Sequence, residues 1–292
     1  MKKSYLFLVF FLILLLISGC DELKSTNKNS SVSDGEFYMT VLEYGMEQKP
    51  SMSEFFASPN SLLRLKNMNQ ALHSEFEFTE LCFQSLYYIG FYDKDTKFVA
   101  SYQSTNNNSI NIEIPLENGT CTYATDLKTV QLGKSLYKTF EEQLYQGQNF
   151  TEENYLVTHP TQKIPIILGY DYLQYYNIGD TLELSLHQKN LLFEVIGFYQ
   201  KETSFQFENS KISLDQCIIM PFYDIAYDPI DANDESYQKI YYSQKNEGYI
   251  HIPDNVEQTV YRTNCDKKLN ELKTQNDLLF VLPLSTTKIF FE

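Results

Sequence analysis

Tryptophan is absent from this 292-residue sequence, histidine occurs four times and cysteine five, and basic residues are scarce, with 23 Lys and Arg against 38 Asp and Glu. The resulting net charge of −15 works against the phosphate contacts that nucleic-acid binding rests on and against adhesion of a basic face to anionic lipid. No nucleic-acid partner is expected. The histidines, His73, His159, His187 and His251, are scattered, and none belongs to a metalloprotease pair. Each is expected at the surface. Serines lack a nucleophile-elbow pattern, and no cysteine has an evident histidine partner. "LGKSLY" at 132–137 is similar to the end of a phosphate loop, yet Lys128 stands where its first glycine is required. The expectation is a non-enzymatic chain with no cofactor and no metal site.

Long hydrophobic runs are also scarce. The one present, Tyr5 to Gly19, has fifteen residues, short of the roughly 20 that a membrane-spanning helix needs. It follows Met1, Lys2, Lys3 and Ser4 and ends in Ile17, Ser18, Gly19 and Cys20. That ending resembles a bacterial lipoprotein signal. The resemblance implies that residues 1–19 are removed and that Cys20 carries the lipid that holds the protein to the outer face of the cell membrane. A single uncleaved N-terminal helix is the alternative. Loss of Lys2 and Lys3 would make the chain two charges more acidic. Residues 20–35, rich in Ser, Asn, Lys and Asp, offer little to bury and read as a flexible tether of about 20 Å r.m.s. span.

Four cysteines remain: Cys82, Cys121, Cys217 and Cys265. An even count in an exported chain permits disulfides, with three pairings, and Cys82 with Cys121 is favoured because they lie in neighbouring segments. The alternative is free core cysteines, since Cys82 and Cys217 sit in apolar runs.

Glu36–Glu43 reads as a strand, 61–75 as a helix with Leu62, Leu65, Met68 and Leu72 near helical spacing, and 78–92 and 98–104 as strands around a turn at 93–97. Ile110, Ile112 and Ile114 alternate ahead of a turn at 117–119. A short helix is expected around 134–144, strands at 164–169, 181–186 and 191–199, and another at 217–224. "YDPIDANDES" reads as an acidic loop. A strand at 248–252, a helix at 256–275 and a strand at 278–284 follow. The chain thus opens and closes on strand-helix-strand units around a β-rich middle, which predicts an α+β fold.

The middle section contains Gly147, Phe150 and Glu152, then Pro165, Leu168, Gly169, Gly179 and Asp180, then Val195, Ile196 and Gly197. In this order they resemble the extracytoplasmic domain of MacB- and FtsX-type ABC transporter permeases. The resemblance implies a porter-like lobe, 36–119 and 211–292, interrupted by a second β-rich lobe, 120–210. It also implies an accessory or interaction role in an ABC export or antimicrobial-peptide system, with a transporter membrane protein as partner. Two alternatives stand beside it: a solute- or peptide-binding lipoprotein, and the extracytoplasmic part of a truncated or split permease. Two binding candidates complete the reading. Tyr172 and Tyr176, within the clusters Tyr87, Tyr88, Tyr92 and Tyr170, Tyr172, Tyr175, Tyr176, are expected to form an exposed partner-docking patch. Asp228, Asp231, Asp234 and Glu235 offer a weak oxygen site for a hard cation, although the pattern lacks the glycine and distal glutamate of a calcium loop.

Overall fold

Strands form where β-branched and aromatic residues run between turn-forming clusters, and helices where apolar residues recur every third or fourth position. The computed structural model describes residues 36–43, 52–100, 110–116, 119–138, 144–207, 210–254, 256–278, 280–281 and 286–291. The expected signal, Cys20 and the tether at 20–35 lie outside the described residues, as do 101–104 of an expected strand and 282–284 of another.

β1 (Glu36–Glu43) is followed by α1 (Met52–Ala57), α2 (Ser61–Glu75), β2 (Phe78–Thr79), β3 (Leu81–Cys82), β4 (Ser85–Ile89) and β5 (Ile112–Pro115). The long β6 (Cys121–Leu132) leads through the single turn α3 (Lys134–Tyr137) to β7 (Leu144–Gly147), β8 (Leu156–Val157), β9 (Ile164–Leu168), β10 (Thr181–Leu186) and β11 (Lys189–Tyr199). Then come β12 (Ser204–Phe207), β13 (Ser210–Ser213), β14 (Ile218–Pro221), β15 (Asp224–Ile225), α4 (Ala232–Lys245), β16 (Gly248–Ile252), α5 (Gln258–Asn276), β17 (Phe280–Val281) and β18 (Thr286–Phe291). The fold is mixed α+β, and the described residues fall in one compact unit. No described helix is long and apolar enough to cross a membrane.

One sheet runs β13-β12-β18-β1-β16-β2, with β17 added beside β1. The larger sheet runs β10-β4-β6-β14-β9-β11-β7, and a further pairing of β11 with β10 closes six of its strands into a barrel. β6 with β14 and β9 with β11 are the parallel pairs of that ring. The boundary expected between residues 119 and 120 falls between β5 and β6, which pair directly, and β12, expected with the middle lobe, joins β18 in the other sheet.

Alternation along the strands builds two cores. Ile166, Leu168, Phe193, Val195, Ile218 and Met220 belong to one that continues into α2, α4 and α5, with Met39, Val41, Ile250 and Ile252 under the helices. Their sequence neighbours Ile167, Ile196 and Ile219 turn outward and meet Tyr38, Phe205 and Ile289 of the other sheet. Barrel strands buried on both faces explain the unbroken apolar run "IPIIL", all five residues of which are buried.

Two sequence expectations are corrected here. The Cys82–Cys121 disulfide is absent, and both thiols are free. Cys82 lies opposite Gln131, so Cys121 sits ten residues farther along β6. At roughly 3.3 Å per residue that is about 33 Å, well beyond the reach of a disulfide. The acidic segment is not a loop throughout: α4 starts at Ala232, with Asp231 as its N-cap accepting from the Asp234 N–H at 2.8 Å.

The residues that carry the permease resemblance are architectural. Gly147 and Gly197 face each other across β7 and β11, and Phe150 packs on Tyr137 with ring centroids 4.7 Å apart. Gly169 has an ordinary φ of −65°, yet an added methyl would run into the backbone of Leu214 and Asp215. Gly179 has φ +91° with open space around it. Gly169→Ala is therefore expected to cost about 3 kcal/mol or more through the backbone clash. Gly179→Ala should cost only about 1 kcal/mol of conformational strain. Urea unfolding of the two variants, read by circular dichroism, checks the order; an equal or reversed ranking contradicts the packing at Gly169.

Candidate functional site

Helix α2 buries Leu65, Met68 and Leu72 on one side. The same periodicity brings Lys66, Gln70, His73 and Ser74 to the adjacent side, where they form one wall of an open groove of about 820 Å³. The opposite wall comes from the barrel: Lys134 and Ser135 after β6, Tyr155 and Leu156, and the Asp224–Ala226 segment held by the parallel β8–β15 pair. Phe78, Phe222 and Tyr242 give it an aromatic lining, and Glu80 and Lys245 are its buried charges.

Each ionic group in the groove has a definable environment. Lys245 Nζ donates to Asp224 Oδ1 at 2.6 Å and to the Tyr223 carbonyl at 3.1 Å. Glu80 Oε1 lies 2.8 Å from His73 Nε2, and Gly133 N–H donates to the Glu80 carbonyl at 2.8 Å. Lys134 pairs with Glu152 at the rim. Lys66 differs. Its Nζ donates to the Ile225 carbonyl at 3.0 Å and lies 5.3 Å from the Tyr242 ring centroid. Burial pulls its pKa below the ordinary lysine value, opposed at longer range by Asp228, Asp224 and Asp234. The free edge of β15 is covered by side chains: Lys66 and Lys245 take two carbonyls, and Ile225 N–H donates to the Tyr242 hydroxyl at 2.9 Å.

A second hollow of about 690 Å³, near Phe83, Ile212 and Cys217, has its polar groups engaged. Gln84 bonds Gln131 and Gln244, and Lys128 bonds Gln216. Burial pushes the Cys217 thiol up to about 12, which leaves it a packing residue.

The sequence-derived sites fall elsewhere. Tyr172 is buried at 2% exposure with its ring 4.1 Å from that of Phe98, and Tyr176 is half-buried beside it at 6.0 Å. They are core and margin residues, not an exposed docking patch, because the short helical turn after Gly169 folds them against the barrel. The four acidic residues do not converge either. Asp234 is buried and turned inward, accepting from Lys189 Nζ at 2.5 Å and from Ile230 N–H at 3.1 Å. Asp231 caps the helix, Glu235 pairs with Lys239 at 2.7 Å, and Asp228 is exposed. Burial alone would pull the Lys189 pKa down, but hydrogen bonds to Asp234 and Tyr227 outweigh it and leave it raised. Among the described residues no three His, Cys, Asp or Glu side chains could share a metal ion.

Two of the four histidines also depart from the surface placement. His251 is half-buried, its Nδ1 2.6 Å from Glu77 Oε2. His187 occupies the two-residue turn between β10 and β11, where it and Gln188 adopt φ of +50° and +66°. Its Nε2 is enclosed without a hydrogen-bond partner among the described residues, 6.3 Å separates its ring centroid from that of Tyr237, and burial lowers its pKa to about 4.

What the sequence reading missed is α4, whose Tyr237, Tyr241, Tyr242 and Lys245 build the groove's floor and the packing behind it. The signal was present: an Asp N-cap after Pro229, then tyrosines at helical spacing.

Removal of Asp234 leaves Lys189 with the neutral Tyr227 hydroxyl and no carboxylate, so Asp234→Ala should cost about 3 kcal/mol. Asp231→Ala should cost about 1 kcal/mol as a lost cap, and Asp228→Ala less than about 0.5 kcal/mol. Chemical unfolding separates these, and a neutral Asp234→Ala would contradict the inward placement. For His187 the folded pKa lies below the ordinary 6.5, so the unfolded chain binds a proton that the folded ring refuses. Its contribution is complete above pH 6.5 and is lost as pH falls towards 4, up to about 3 kcal/mol. The parent-minus-His187→Gln difference in unfolding free energy should show that slope and be flat above pH 7. No family model matches the sequence, and no curated protein matches it.

Proposed function

We propose that this chain is a lipid-anchored extracytoplasmic module that works by binding, as an accessory component beside the membrane protein of an ABC-type export system. The observation that supports this reading is the pairing of the first described strand with the last. Glu36, the first residue of β1, pairs with Ile289 of β18, so the first and last described strands are adjacent and antiparallel. Such an adjacency suits attachment to a membrane at that edge of the sheet while the rest faces outward. The porter-like lobe and the family likeness to MacB-type permeases belong to the same proposal, supported by Gly147, Gly169, Gly179 and Gly197 at turns and close approaches of the middle section. The split-permease reading shares this architecture and differs only in what anchors it.

The groove favours a second reading, a solute- or peptide-binding lipoprotein. Its volume falls within the range of small-molecule sites, and an aromatic lining with a few fixed polar groups is the usual makeup of such sites.

Anchoring through Cys20 is tested by mass spectrometry of the membrane fraction. The expected N-terminal peptide begins at Cys20 and carries diacylglycerol, while Cys20→Ala leaves an unlipidated precursor. An intact, unmodified Met1–Gly19 segment in the parent protein would overturn the lipoprotein reading and favour a single N-terminal helix.

A further inference from the structure

Formal charge divides unevenly over the molecule. The chain as a whole is strongly acidic, yet the groove between α2 and the barrel is lined by Lys66, Lys134 and Lys245 against only Glu80 and Asp224, with His73 beside Glu80. Within that set the pairing is specific. Asp224 is taken by Lys245, and Glu80 is held by His73. Lys134 stands at the rim, paired with Glu152, which is 69% exposed and open to exchange with water. Among the described residues Lys66 meets a carbonyl and a tyrosine ring, both neutral, and forms no ion pair, with Asp228, Asp224 and Asp234 acting on it only through space. A half-buried ammonium that has shed part of its hydration and gained no carboxylate in exchange is poised to accept an anion.

From this geometry we infer that the groove binds a small organic monoanion, a carboxylate carrying an aromatic or branched apolar body, with the carboxylate at Lys66 and the body against Phe78, Phe222 and Tyr242. With Lys245 held by Asp224 and Lys134 by Glu152, Lys66 is the one lysine of the lining without an ion pair among the described residues, which matches a monoanion. A phosphate dianion fits less well. The nearby Gly133 N–H is already committed to the Glu80 carbonyl, and the buried carboxylate of Glu80 would repel a second negative charge. The groove volume of about 820 Å³ accommodates an amino-acid derivative or a short peptide end. The inference rests on the groove alone, so the test uses the folded body free in solution and its outcome is separate from that of the Cys20 experiment.

Dansylglycine and dansylamide share an aromatic body and differ in the carboxylate, and both report binding by fluorescence. The parent protein should bind dansylglycine saturably and about ten-fold or more tighter than dansylamide, with an affinity that weakens as salt is raised. Lys66→Met should abolish that preference while leaving dansylamide binding unchanged, and Lys134→Gln should reduce it by a smaller factor. Near-ultraviolet circular dichroism establishes that each variant is folded, and the comparison of the two probes on the parent protein needs no variant. Equal affinity for both probes overturns the proposal. So does dansylglycine that fails to saturate below about 1 mM. Retention of the full preference in folded Lys66→Met assigns the anion elsewhere, and displacement of dansylglycine by inorganic phosphate at lower concentration than by acetylglycine makes the site one for phosphate instead.

Discussion

A buried polar seam on α4 holds the barrel to the helices. Tyr223 N–H donates to the Tyr241 hydroxyl at 2.9 Å, that hydroxyl donates back to the Tyr223 carbonyl at 3.0 Å, and the Tyr223 and Tyr237 hydroxyls meet at 2.6 Å. Gln131, near the C-terminal end of β6, donates to the Tyr241 hydroxyl and to the Pro221 carbonyl, and Gln84 donates to Gln131 in turn. On the helix side Asn246 Nδ2 reaches the Leu65 carbonyl and Asn69 Nδ2 the Lys245 carbonyl. These groups are shut from water, so a missing partner leaves a costly unpaired atom in a low-dielectric interior. The seam therefore fixes the angle and register at which α4 crosses from barrel to α2, which apolar packing alone would leave looser.

The groove is a consequence of that crossing. With α4 fixed, its C-terminal turn supplies Tyr242 and Lys245 as a floor, α2 becomes a wall, and the short β8–β15 pair becomes the facing wall. Electrostatics follow from the same arrangement. Lys245 and Glu80 are buried because each has a hydrogen-bonding side chain at hand, whereas Lys66 lies just where the polar stripe of α2 passes the β15 edge and meets a carbonyl and the Tyr242 ring. In a chain of net charge −15 this leaves one lysine of the groove without an ion pair among the described residues.

Backbone proximity is the other recurrent constraint. Gly147 against Gly197, and Gly169 against Leu214 and Asp215, let β7, β11 and the turn after β9 approach more closely than any side chain permits. The resemblance to the permease domains runs through these same positions, so it speaks to how the middle of the chain packs and is silent about ligand.

Much of the fold was legible in sequence because it depends on local pattern. β1, α2, β9, β10, β11, β16 and α5 lie where alternating or unbroken apolar runs and helical spacing put them, and the mixed α+β class follows from their order. The stripe Lys66, Gln70, His73, Ser74 was implied by the helix that carries it. Tertiary structure alone decided the rest. Barrel closure depends on β10 reaching β4, a pairing distant in sequence that shows no signal of its own, and the turn after Gly169 buries Tyr172 against the barrel although a tyrosine there fits the surface equally well. α4 read as a loop because Asp and Asn favour turns and caps alike, and only the buried partners of Tyr237 and Tyr241 resolve the ambiguity. Cys82 and Cys121 are close in sequence and held apart by the length of one extended strand. Side-chain type and periodicity set which elements form, while which charges meet, and which one is left over at Lys66, is fixed by long-range contacts that no local window contains.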